Sequence, residues 1–217
     1  MSFPPVVASG PRACTLHYIT NDHEARSGDL IFVDVGCELY GYCSDISRAW
    51  PRDGIFSPAQ RDLYNMLLEV QLECIRHCSA PLPALSSSSS SLPTLDELHT
   101  LSITLIEDGL AQLGILRHTE RGSNAYRRYY PHAIGHYLGM DVHDVHSLPK
   151  NIPLANGVAF TIEPGVYIPS DDERAPAHFR GLGLRIEDDL IVADLRAHVL
   201  SERAAKTIAQ VEALLAD

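Results

Sequence analysis

Four acidic side chains set inside apolar, strand-like stretches constrain this chain more than any other feature. Asp34 lies in Phe-Val-Asp-Val-Gly, Glu163 in Phe-Thr-Ile-Glu-Pro-Gly, and Glu187 in Leu-Arg-Ile-Glu-Asp-Asp. Asp45, in Ser-Asp-Ile-Ser-Arg, belongs to the strand expected after Asp34. A carboxylate among such neighbours must be neutralised, hydrogen-bonded or bound to a cation, because bare burial costs several kcal/mol or more. Singly, each could be a salt bridge or an edge-strand exposure. Together they call for a shared cationic partner, and Lys and Arg are scarce nearby.

The order of elements around them reads as strands, helices, strands. Residues 30–37 predict one strand, and the run through Tyr40-Gly41-Tyr42 toward Trp50 predicts its antiparallel partner. Ser57-Pro58-Ala59-Gln60 supplies an N-cap, a first-turn proline and the far member of a capping box, opening a helix to about residue 78. Thr94-x-x-Glu97 opens a second helix that runs to Gly114. Residues 115–130 look irregular and basic. Beyond them come β-like segments around 136–145, 158–168 and 182–193, then a last helix over roughly 202–215. The expectation is an α+β layer architecture in one domain over residues 1–217. Six consecutive serines, 86–91, mark residues 79–93 as a disordered surface insertion.

Composition removes several classes of function. Acidic residues outnumber basic ones 28 to 17, giving a formal charge of −11. Such a surface repels phosphate backbones, so nucleic acid is not the expected partner. No stretch approaches the ~18 apolar residues of a membrane span, so no membrane partner is expected either. Five cysteines without a CxxC or a secretory signal read as reduced thiols in an intracellular compartment.

Histidine supplies the remaining chemistry. The segment 131–144 holds His132, His136 and His143, punctuated by Pro131, Gly135 and Gly139. The spacing of His132 and His136 suggests a zinc-protease helix, but Ala133 stands where that motif needs glutamate, and the glycines and proline weaken a helix. The glycines suit close backbone packing around a site. One imidazole and four carboxylates, without thiolate, suit Mn²⁺, Co²⁺, Mg²⁺ or Zn²⁺. Four carboxylates carry a charge that two divalent cations neutralise and one does not.

Asp34, Asp45, His136, Glu163 and Glu187, with Thr-Leu-His17-Tyr upstream and Gly-Leu-Arg185-Ile-Glu187-Asp-Asp near the end, resemble the aminopeptidase P and prolidase group. These are dimetal peptidases of the pita-bread fold. The resemblance runs from about Phe3 to Val192, with all five ligand positions in order. Gly-Met-Asp-Val-His143-Asp and Arg185-Ile-Glu187-Asp-Asp resemble the proline-specific branch more than methionine aminopeptidases.

The resemblance implies that Asp45 and Glu187 bridge two divalent cations, Mn²⁺ foremost, with Co²⁺ or Zn²⁺ as alternatives. Asp34 would complete one metal, and His136 with Glu163 the other. A hydroxide held between them would attack the scissile carbonyl, with Glu163 as proton shuttle and His143 binding substrate and stabilising the oxyanion. His17 and His132 would line the pocket around the proline-containing end, His132 counting among the catalytic residues. Arg185 would orient a ligand carboxylate or the substrate, and Phe3 would contact substrate. The implied reaction is hydrolysis of the N-terminal Xaa-Pro bond of peptides with proline at the second position. The alternatives are a proline dipeptidase or a non-catalytic pita-bread binding module. The family's helices and N-terminal domain normally precede Phe3-Pro-Pro, so a catalytic-domain fragment is expected. Its full-length parent could be a homodimer, cytoplasmic, or mitochondrial if a preceding region carried a transit peptide.

Overall fold

A computed structural model describes residues 1–79 and 91–216. The first sheet is antiparallel, with β2 (Leu30–Val35) between β1 (Val6–Ser9) and β5 (Ile46–Pro51). Strand periodicity turns Asp34 to the same face as the buried Leu30 and Phe32. Register sets Asp34 opposite Ser47. Between β2 and β5 the chain folds a small ribbon of β3 (Glu38–Leu39) and β4 (Tyr42–Cys43).

Two helices follow. Ser57 and Gln60 exchange side-chain and backbone hydrogen bonds at the start of α1 (Pro58–Ser79). Thr94 and Glu97 do the same at α2 (Leu95–Gln112). The α1 side chains Leu63, Leu67, Val70, Cys74 and Cys78 recur at helical spacing and form much of the core. Cys74 and Cys78 act there as small apolar groups. Burial pushes the Cys74 thiol up to about 12.

The second sheet is also antiparallel. It places β9 (Asp188–Ala193) between β6 (Ala159–Ile162) and β10 (Arg196–Val199). A separate pair joins β7 (Gly165–Tyr167) to β8 (Gly183–Arg185). The chain closes on α3 (Ile208–Leu214). Among the described residues, no helix is long and apolar enough to cross a membrane.

Several expectations need correction. Residues 136–145 are not a strand; they form bends, with isolated bridges from Tyr137 to Asp144 and Phe160. Gly135 explains the departure, because a Cβ there would lie 2.0 Å from the Thr161 carbonyl oxygen. The segments 158–168 and 182–193 each divide into two short strands, at Glu163-Pro164 and at Ile186-Glu187. The last helix is shorter than expected because Thr207 caps it. The turns before it are held instead by Arg48, which donates to the carbonyls of Ala204 and Ala205. Four-residue strands β1 and β10 were too short to stand out in the pattern of the sequence. The disordered insertion expected over 79–93 falls mostly on residues 80–90, which lie outside the described residues; Ser79 ends α1 and Leu92 is buried.

Candidate metal centre

Strand breaks position most of the acidic side chains. Asp34 alone lies within a strand; Asp45 directly precedes β5, Glu163 directly follows β6, and Glu187 sits between β8 and β9. At a break, the backbone N–H is released from the ladder and takes a distant partner. Glu163 donates to the Ile134 carbonyl (2.7 Å) and Glu187 to the Ser47 carbonyl (3.1 Å). These bonds bring the two sheets and the 131–148 loop to one point.

At that point Asp45, His136 and Glu187 each offer a ligand atom, all within 4.8 Å of one another. His136 Nε2 lies 3.4 Å from Asp45 Oδ2 and 3.6 Å from Glu163 Oε1. Its Nδ1 is 3.0 Å from the Tyr137 carbonyl, which leaves Nε2 free as a ligand atom. Asp34 is engaged differently, by the Arg185 guanidinium and the Ser47 hydroxyl. Arg185 Nε is also 3.7 Å from Glu163 and 3.9 Å from Glu187. The expected scarcity of cations is therefore corrected by one arginine, buried among the carboxylates.

The centre floors a cleft of about 450 Å³ that His17, His132, His143 and Lys150 also line. His143 stacks edgewise on His136, with ring centroids 4.4 Å apart. His132 has both ring nitrogens engaged, by the Ala133 carbonyl (2.8 Å) and the Tyr167 hydroxyl (3.0 Å), so it offers the cleft its ring rather than a free nitrogen. Phe3 lines an adjoining arm with His17, Ile19 and His146, continuous with Asp34 and Asp45. Sequence reasoning missed Ser47, Tyr167, Lys150 and His146. Ser47 accepts from Arg185 Nε (2.9 Å) and lies 2.7 Å from Glu187 Oε2. Tyr167 links Arg185 to His132. Lys150 donates to the Gly135 carbonyl (2.8 Å). No local pattern marks these residues; only strand register and loop closure bring them in.

Residues 1–194 match the profile of metallopeptidase family M24. The chain belongs to this family. It is 42% identical over 214 residues to human Xaa-Pro aminopeptidase 3, covering 98% of this chain and 40% of that protein. Identity is also 42%, over 215 residues, to mitochondrial intermediate cleaving peptidase 55 of Arabidopsis thaliana, covering 99% of this chain and 40% of that one. Zinc-substituted Escherichia coli aminopeptidase P in complex with product superposes with a TM-score of 0.89 at 34% identity, over 99% of this chain and 47% of that chain. The chain thus spans about two fifths of the length of these curated relatives and about half of the solved structure. Its mixed helix-and-sheet architecture is the pita-bread fold of aminopeptidase P.

Electrostatics test whether the residues present fit the divalent cations of a metallopeptidase. Burial raises Asp45 to about 6, against the pull of His136 and with the charges of Asp34 and Glu163 adding. Burial, with Glu163 and Asp45, pushes Glu187 well above the usual carboxylate range. Burial pulls His136 down, but its hydrogen bond to Asp45 and the charge of Glu163 prevail and raise it. His132 and His143 are both lowered, chiefly by burial, which keeps them neutral at pH 7. Asp45 Oδ1 and Glu187 Oε1 are buried without a hydrogen-bond partner among the described residues. An unsatisfied buried polar atom costs ~1–3 kcal/mol, more if charged. A hard cation beside oxygen and imidazole donors removes that cost. The M24 site fits such a group.

Proposed function

We propose that this chain carries the metal centre of a peptidase that removes an N-terminal residue preceding proline. The observation that carries the reading is the pair of buried carboxylate oxygens without a hydrogen-bond partner among the described residues, one on Asp45 and one on Glu187, two residues that gather with His136 at the floor of a cleft. Asp45 and Glu187 would hold two divalent cations jointly, Asp34 completing one and His136 with Glu163 the other, with Mn²⁺ as the preferred ion. Bound there, the cations would supply a water-derived nucleophile near neutral pH and polarise the scissile carbonyl. Glu163, beside His136 and partly open to the cleft, holds the proton passed from nucleophile to leaving amine. His143, neutral, donates its N–H to the oxygen that gains charge. His17, His132 and Phe3 form walls against which a proline ring and its neighbour pack. Arg185 binds Asp34 and is 5% exposed, which gives it a ligand-orienting role rather than a substrate contact.

The name of the human relative supports proline as the residue after the cleaved bond, and the name of the plant relative supports a mitochondrial setting. The deciding experiment supplies the purified chain with Mn²⁺ and follows release of the first residue from matched Xaa-Pro and Xaa-Pro-Xaa peptides. Preferential cleavage of the tripeptide is expected. Preference for the dipeptide would make the chain a prolidase. Mn²⁺ binding without hydrolysis of either would make it a binding module.

A further inference from the structure

The backbone of Asp45 is held by a residue outside every role given above. Asp45 precedes β5, so its N–H has no ladder partner. It donates instead to the Asp189 carboxylate, at 3.1 Å to Oδ2 and 3.3 Å to Oδ1. Asp189 is 4% exposed and does not line the cleft; it borders a separate groove with Ile46, Leu138 and Leu200. Its own backbone is fixed on both sides. Its N–H donates to the Ser201 hydroxyl (3.1 Å), and its carbonyl accepts from the Leu200 N–H (2.8 Å).

Sheet register gives this contact a counterpart. Asp189 on β9 pairs directly with Thr161 on β6, so the two side chains share a face. Thr161 Oγ1 accepts the backbone N–H of His136 (3.1 Å). One cross-strand pair therefore holds the backbones of Asp45 and His136, whose side chains meet at 3.4 Å. Packing does not account for Asp189, because an apolar side chain of similar shape fills such a place without burying a carboxylate.

We propose that Asp189 is a positioning residue of the metal centre, fixing the Asp45 backbone so that Asp45 and His136 present their ligand atoms together. The proposal rests on the metal-centre reading above, and its test separates the two. Mn²⁺ affinity of the metal-free full chain is measured by calorimetry for wild type, Asp189→Leu, Asp189→Ala and Asp189→Asn. Leu keeps the branched shape without an acceptor, Ala removes the side chain, and Asn retains an acceptor oxygen. Both acceptor-free variants should bind Mn²⁺ ~10–100-fold more weakly, the usual cost of losing an outer contact to a metal ligand. Asp189→Asn should bind as wild type does. Asp189→Leu leaves the buried Asp45 N–H without its acceptor, so the metal-free melting temperature should fall modestly, whereas a merely structural role would leave the Mn²⁺ affinity of the folded variant at the wild-type value. Equal affinity in wild type and a folded acceptor-free variant would overturn the role of Asp189, as would an Asn variant as weak as Leu. Failure of wild type to bind Mn²⁺ would overturn both this role and the metal centre itself.

Discussion

His143 sits at the open edge of the cleft, where its ring meets His136 and where burial and the neighbouring imidazole keep it neutral. A neutral imidazole can donate an N–H to a developing oxyanion without first losing a proton. His143→Ala should therefore lower kcat on an Xaa-Pro-Xaa peptide by ~10²–10³ while leaving the metals bound. Steady-state kinetics with metal analysis checks this, and an unchanged kcat would remove the residue from the reaction. At this scale the sequence was informative where chemistry and surroundings disagreed. Carboxylates in apolar runs pointed to Asp34, Asp45, Glu163 and Glu187, and clustered imidazoles in a glycine-rich stretch pointed to His136 and His143. Ser47 and Asp189 carried no such signal. A serine on a half-buried strand and a second aspartate after Glu187 look ordinary; strand register sets Ser47 opposite Asp34, and a hydrogen bond from the Asp45 N–H sets Asp189 beside Asp45.

Elements are joined to the centre through ion pairs as much as through apolar packing. Asp188, fully buried at the start of β9, binds Arg48 of β5 (2.7 Å) and Lys206 of the last turn (2.5 Å), and accepts from Gln71 of α1 (2.6 Å). Burial acts to raise Asp188, but the charges of Arg48 and Lys206 prevail and hold it below the usual carboxylate range. Arg48 also donates to the Glu187 carbonyl, so the same network fixes the strand break that carries Glu187. Asp188→Ala leaves two cations with their partner gone, and unfolding in urea should show a loss of about 3–5 kcal/mol. A loss below about 1 kcal/mol would mean that packing alone holds these elements. The helices were legible because capping boxes and apolar spacing are local signals. The broken strands and the 136–145 loop were not, because close approach of Gly135 to Thr161 is a property of the assembled sheets.

For the whole molecule, assembling the fold without cations forces acidic groups together. Asp45 is raised to about 6 by burial, so between the ordinary carboxylate pKa of ~3.9 and about 6 the folded chain holds its proton more tightly than the unfolded chain. Stability from this group is present below that window and is lost as pH rises through it. The metal-free Asp45→Asn variant lacks the ionisation, so its stability relative to wild type should grow from pH 4 to 6 and then level off, by about 3 kcal/mol at 1.36 kcal/mol per pKa unit. Thermal unfolding of both proteins across pH checks the slope, and a flat difference would mean that Asp45 is not held in strain by its surroundings. We propose that Asp34, Asp45, His136, Glu163 and Glu187 together bind divalent cations. Calorimetric titration of the metal-free chain with Mn²⁺ at pH 7 addresses it most directly. Two ions per chain bound with release of protons, and loss of this binding in Asp45→Asn, is the predicted result; no saturable binding by wild type, or binding unaltered in Asp45→Asn, would contradict it.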